Sequence, residues 1–255
     1  MRQAEYFFGA SILLASIVSW AQNPSKPSDI DPVAVAALEK MGAYLRTLRA
    51  FEVEAQINRE EVLNDDEKVT VAGTATTLVA TPDRLRAEIF SDQQHRTYFY
   101  DGKSFTLWAA SLNYYATVPA PATIVALVDR LEDRYGIELP LADLVRWGVH
   151  PAPAAAIRSA IDAGPAQVEG TTCEHYVFRQ DGLDWQIWIQ LGDFPLPRRL
   201  ILTTTTDKAR PQYTSTMTWN LAPSFNQETF VFAAPAAARQ IVIEELKPAA
   251  TEPAQ

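Results

Sequence analysis

The sequence predicts a mainly β (α+β) fold, in which a single strongly curved antiparallel sheet curls around an N-terminal helix and a helical insert. Three observations predict it. Apolar and polar residues alternate in short segments through most of the chain, the period of a strand. The links between those segments are short, which suits an antiparallel meander and leaves no room for parallel crossovers. Two stretches instead repeat apolar residues at helical spacing, and each carries a stripe that must be buried against something.

Composition sets the outer bounds. The 255 residues are 47% hydrophobic and 21% charged, which is globular and too apolar for disorder. Lys and Arg number 22 against 31 Asp and Glu, a net charge of -9. Such a surface repels nucleic acid at long range. Cys173 is the single cysteine, so neither an intrachain disulfide nor a multi-cysteine zinc site can form.

Residues 1–21 read as a secretory signal. Arg2 gives a positive start, with Glu5 against it, and Tyr6 to Val18 is an uncharged apolar run shorter than a membrane span. Ser19-Trp20-Ala21 places small residues at the −3 and −1 positions of a cut after Ala21. The alternative is a retained N-terminal anchor. Residues 22–30 then form a polar leader containing Pro24 and Pro27. A cleaved chain carries no later apolar run of membrane length, which points to a soluble protein outside the cytoplasm with no stable membrane span.

A single domain is expected over residues 31–247. Asp31 can cap a helix from Pro32 to Ala50, with Val35, Leu38, Met41, Leu45 and Leu48 on one face. Strands follow over Phe51 to Leu63, Lys68 to Ala80 and Arg84 to Ser91, separated by Asn64-Asp65-Asp66 and Thr81-Pro82-Asp83 turns. Thr97 to Tyr100 and Phe105 to Ala109 flank an Asp101-Gly102 hairpin turn, and Leu112 to Val118 comes next. A helical insert is expected over residues 121–161, with segments at Pro121 to Arg134, Leu139 to Trp147 and Pro153 to Ile161. Strands resume at Ala166 to Val168, Cys173 to Gln180, Trp185 to Leu191, Arg198 to Thr206, Gln212 to Asn220 and Phe230 to Phe232. A sheet of about ten or eleven strands is expected by the pattern rule. Residues 248–255 read as a frayed tail.

The runs PDRLRAE (Pro82 to Glu88), YYATVPAPAT (Tyr114 to Thr123), RYGIELPLADL (Arg134 to Leu144), DWQIWIQLGDFPLPRRL (Asp184 to Leu200) and TWNLAP (Thr218 to Pro223) resemble the DUF2092 family of periplasmic proteins. The resemblance runs from Ile30 to Val242. That family is similar in fold to the lipoprotein-carrier superfamily, whose members include a periplasmic lipoprotein chaperone, its outer-membrane receptor and a stress-sensor domain. The resemblance implies an unclosed antiparallel half-barrel cupping helices. By analogy it implies a lipid or lipoprotein ligand.

No catalytic constellation is visible. Cys173 and His175 share a strand face but stand roughly 7 Å apart by strand rise, beyond a hydrogen bond; a buried thiol and a satisfied histidine are the plainer reading. His95 and His150 lack metal-binding spacing. The acidic turn Asn64 to Glu67 lacks the length and closing Glu of a calcium loop. No phosphate-binding, dinucleotide or Gly-x-Ser-x-Gly motif occurs, so neither cofactor nor enzyme activity is expected. Arg84, Arg86, Arg198 and Arg199 could make a basic rim, or pair with nearby acids.

The leading expectation is a non-enzymatic protein that binds a lipid or acylated peptide in the concave face of the sheet. Its expected lining is Leu38, Met41 and Leu45 from the first helix, Leu127 and Leu131 from the insert, and Leu85, Ile89, Phe105 and Leu107 from the strands. The alternatives are a module that binds another envelope protein, or a hydrolase of envelope substrates.

Overall fold

The computed structural model describes residues 29–147 and 156–246. The proposed signal, the leader as far as Ser28, His150 and the tail from Pro248 lie outside the described residues. Helix α1 (Pro32–Leu45) starts as its sequence requires: Val33 N–H donates to Asp31 Oδ1 at 2.8 Å and Pro32 fills the first turn. It stops five residues before Ala50. Thr47 and Leu48 N–H turn back onto the carbonyls of Tyr44 and Leu45, and Ala50 is already paired with Ala80 in the sheet.

The first half of the sheet is a meander: β1 (Ala50–Val62), β2 (Lys68–Ala80), β3 (Arg84–Ser91), β4 (His95–Tyr100), β5 (Ser104–Ala109) and β6 (Tyr114–Pro119). Helices α2 (Ile124–Tyr135) and α3 (Ala142–Trp147) follow. The second half comprises β7 (Ser159–Val168), β8 (Thr171–Gln180), β9 (Leu183–Gln190), β10 (Pro197–Thr204) and β11 (Gln212–Asn220), with a short β12 (Arg239–Gln240). Together they form one sheet in the order β12-β6-β5-β4-β3-β2-β1-β11-β10-β9-β8-β7. Every neighbouring pair is antiparallel except β12 with β6. The two meanders join where β1 pairs with β11.

This order places the helices. β6 and β7 lie near opposite ends of the sheet, so the chain between them must cross from one side to the other. It crosses inside the curve, where Ile124, Leu127, Val128 and Leu131 of α2 are buried against inward strand residues such as Val53, Leu85, Phe105 and Ile187. Thr123 caps α2 through the N–H of Ala126, and Gly136, at φ 62°, ends it in the left-handed conformation that glycine adopts cheaply. The unclosed half-barrel implied by the resemblance is the observed architecture. Where α1 passes the end of α3, a Cβ at Gly42 would stand 2.8 Å from the Trp147 carbonyl oxygen, so only glycine allows that approach.

Three expected elements differ. Leu112 belongs to a 3-10 turn (Ala110–Leu112) ended by left-handed Asn113, so β6 begins at Tyr114. Ser159 to Ile161 were expected in a helix but pair with Arg179, Phe178 and Val177 of β8; strand pairing outweighs the weak helical preference of an alanine-rich stretch. Phe230 was expected in a strand. Instead Asn226 and Thr229 form a reciprocal cap that winds Gln227–Phe230 into a 3-10 turn.

The segment after β11 runs over the outer face. Phe232 sits on Phe99, Trp108 and Tyr115 with ring centroids 5.4, 5.8 and 5.0 Å away. β12 then pairs with β6, and the Leu246 N–H donates to the Arg134 carbonyl at the end of α2. The chain thus covers an aromatic patch and one sheet edge before returning to the helix. Phe232→Ala is expected to cost about 2 kcal/mol of stability. Hydrogen exchange should show faster loss of protection at Arg239 and Gln240 than in β8 and β9.

Candidate functional site: a groove at the open end of the sheet

The inward-facing rows of β1 to β5 are sealed at one end and open towards the other. In β1 the row runs from buried Phe51, Val53 and Ala55 to half-buried Ile57 and exposed Arg59. In β2 it runs from Val79, Thr77 and Ala75 to Gly73 and Val71, and in β3 from Leu85 and Ala87 to Ile89. β4 goes from Tyr100 and Tyr98 to exposed Arg96, and β5 from Phe105 to Leu107. The sealed end is also stitched by hydrogen bonds. Tyr100 Oη donates to the Pro121 carbonyl, and the Ile124 N–H donates to the Pro82 carbonyl. Burial, with the nearby Asp83 charge, pushes the Tyr100 phenol up to about 12, so it stays a donor.

Helix α2 enters at the sealed end and leaves at the open one. Past Gly136 the chain spans the mouth as a roof, and beneath it lies a groove of about 860 Å³. Ile57, Val71, Ile89, Leu107, Leu200 and Leu202 form much of its floor, and Ile137, Leu139 and Leu141 face them from the roof. A smaller hollow of about 460 Å³ lies between α1 and Trp147. Trp147 stacks on Trp185 at 6.3 Å, and Trp185 stacks on Phe178 at 4.2 Å, which anchors the roof to the second meander.

The nine lining residues expected from sequence divide between groove and core. Ile89 and Leu107 line the groove. Leu38 borders the smaller hollow and is also buried in the core. Met41, Leu45, Leu85, Phe105, Leu127 and Leu131 are packed in the sealed interior. All lie on the inner side of the curve, but most sit too far towards the closed end to meet a guest. Ile57, Leu200, Leu202 and the Ile137–Leu141 roof were missed. A signal existed for Ile57, which continues the row of Phe51, Val53 and Ala55 and is followed by Arg59.

The remaining polar candidates have ordinary partners. The Cys173 thiol is buried, which pushes its pKa up, and it donates to the Thr171 carbonyl. His175 bonds Gln186 at 3.0 Å and lies flat on Trp188. His95 bonds Glu88. Arg84 and Arg86 pair with Asp83 and Glu88, while Arg198 bonds Gln190 and Arg199 bonds Thr216. β3 and β10 are separated by three strands, so these arginines do not make one rim. Among the described residues no three His, Cys, Asp or Glu side chains converge in a way that could hold a metal ion.

Charges frame the groove. Arg59 pairs with Glu61 and Arg146 with Asp129 and Glu132, which ties α3 to α2. Asp143 of α3 is half-buried and lines the groove. Burial raises its pKa, Glu132 and Glu138 push the same way, and Arg146 opposes them. Tyr213 of β11 is pushed up to about 12, first by burial and also by the Asp143 charge.

An unclosed antiparallel sheet, filled by helices at one end and hollow at the other, therefore defines the class. The chain belongs to the DUF2092 family, described as "Predicted periplasmic protein", whose model matches residues 34–244. No curated protein matches it significantly. It is similar to an uncharacterized conserved protein from Thermus thermophilus at 12% identity, over 82% of this chain and 99% of that one, with a TM-score of 0.47. The lipoprotein LppX of Mycobacterium tuberculosis is similar at 10% identity, over 77% and 100%, with a TM-score of 0.46. A LolA superfamily protein from Nitrosomonas europaea is similar at 11% identity, over 78% and 97%, with a TM-score of 0.36. No helix among the described residues is long and apolar enough to cross a membrane.

The raised Asp143 pKa has a definite sign in stability. The folded state holds that proton more tightly than the unfolded chain, so ionising the carboxyl near neutral pH weakens the fold. Below the ordinary carboxylate range both states are protonated and the penalty vanishes. Asp143→Asn should raise the melting temperature by a few degrees at pH 7, and the gain should fade as pH drops through that range.

Proposed function

We propose that this protein is a non-enzymatic binding protein of the periplasm that holds a hydrophobic ligand, such as a lipid or an acylated peptide, in the groove. The observation that carries the reading is the groove of about 860 Å³ with an apolar floor between the roof and the open end of the strands. That size falls within the range of sites for small organic ligands.

The energetics suit reversible holding. A buried methylene is worth roughly 0.8 kcal/mol, so about ten supply ~8 kcal/mol before the costs of ordering and association. The net affinity is then moderate, which a protein that must also release its cargo requires. The sealed end supplies rigidity without contributing contacts, because its side chains already fill one another's space.

The mature form should yield bound lipid to native mass spectrometry or, once stripped, take up a fluorescent fatty acid. Leu107→Ala should weaken that uptake by about 50-fold, the effect of losing roughly three methylene contacts. Leu131→Ala should instead lower the melting temperature, since Leu131 is fully buried in the core. A protein with neither bound lipid nor uptake would sink the reading. The periplasmic setting adds a separate expectation: N-terminal sequencing of the exported chain should begin at Gln22, after the cut following Ala21.

A further inference from the structure

Arg96 differs from the other arginines of the groove. Arg59 and Arg146 are held by carboxylates, whereas Arg96 has no ion pair among the described residues. It projects from β4 in the inward row, opposite Ile89 of β3 and Ala109 of β5, and lines the groove. Tyr98, two residues on, faces the same way opposite Leu107 and also lines the groove. A guanidinium can only donate. The Tyr98 phenol beside it carries a proton to donate as well. Burial raises the Tyr98 pKa, so that proton is retained.

The two groups set donors at the edge of an apolar floor, and among the described residues no carboxylate pairs with Arg96. We propose that the groove takes an amphiphile with an anionic head, a carboxylate or phosphate, bound by Arg96 and Tyr98, while its apolar chain lies along Ile89 and Leu107. This rests on the groove being a binding site and specifies what enters it.

The opposite wall agrees. Asp143, Glu132, Glu138 and Tyr213 line the roof and β11 side of the groove. Arg146 engages Glu132, and burial favours the uncharged form of Asp143. An anionic head at Arg96 thus meets a guanidinium that no carboxylate among the described residues engages, and gains charge-assisted bonds there. An ammonium head would face the guanidinium instead.

The test compares palmitate, hexadecyl phosphate, hexadecanol and hexadecylamine by displacement of a neutral fluorescent lipid probe from the mature protein. The wild type should bind one or both anions about tenfold or more tighter than the alcohol, with the preference shrinking at high salt. Which anion is favoured distinguishes a fatty-acid source from a phospholipid source. Arg96→Gln should abolish the preference for anion over alcohol while leaving the melting temperature unchanged, because Arg96 is exposed at the mouth. Tyr98→Phe should reduce it in part. Equal affinity for anions and alcohol in the wild type would overturn the head-group assignment and leave the groove standing. Preference for the amine, or an anion preference that survives Arg96→Gln, would overturn it as well. Failure of all four to bind would remove the groove reading itself.

Discussion

The burial of the α2 stripe against the inner wall of the sheet is the constraint from which the rest follows. Ile124, Leu127, Val128 and Leu131 occupy the space that strands would otherwise need to curl shut. The sheet therefore stays open, with β7 at one end and β12 at the other. The connection from β6 to β7 could pass outside only by exposing that stripe to water. Each buried aliphatic side chain is worth about 1.5–3 kcal/mol, so the inner route is strongly preferred.

A helix of 12 residues inside strands of up to 13 residues cannot fill the curve along its whole length. An α-helix rises about 1.5 Å per residue and a strand about 3.3 Å. The helix thus packs one end of the concavity, and the other end is bridged by the irregular chain from Gly136 to Leu141. The groove is the residue of that mismatch. It also explains why Ile57, Ile89 and Leu107 are only half-buried although they continue fully buried rows.

Strand periodicity made most of the sheet legible. β2, β3 and β11 begin and end where alternation and turn residues place them, and Trp185, Ile187 and Ile189 face inward while Trp188 faces out. Alternation says which face a residue occupies but not how far along the sheet a helix reaches. For that reason the inner face was readable, while the division between core and groove was not. Leu85 and Ile89 are equivalent in pattern, yet one is sealed and the other lines the groove. The outer-face segment was hidden for a different reason. Phe232 looks like a strand residue by composition, and only the aromatic patch formed by three separate strands gives it a place to sit.

The contacts holding the roof are unequal, and this bears on how a guest could enter. One side is anchored by Trp147 on Trp185 within the second meander. The other is tied at the α2 terminus by the exposed Arg134–Glu245 pair at 3.3 Å and by the Leu246 N–H on the Arg134 carbonyl. An exposed ion pair contributes at most about 1 kcal/mol, and one hydrogen bond adds about as much. Displacing the helix stripe would cost several times more. Widening the mouth by loosening the Gly136 end is thus far cheaper than withdrawing α2. Access should proceed by movement of the roof between its weak tie and its aromatic anchor while the sealed end keeps the sheet in register.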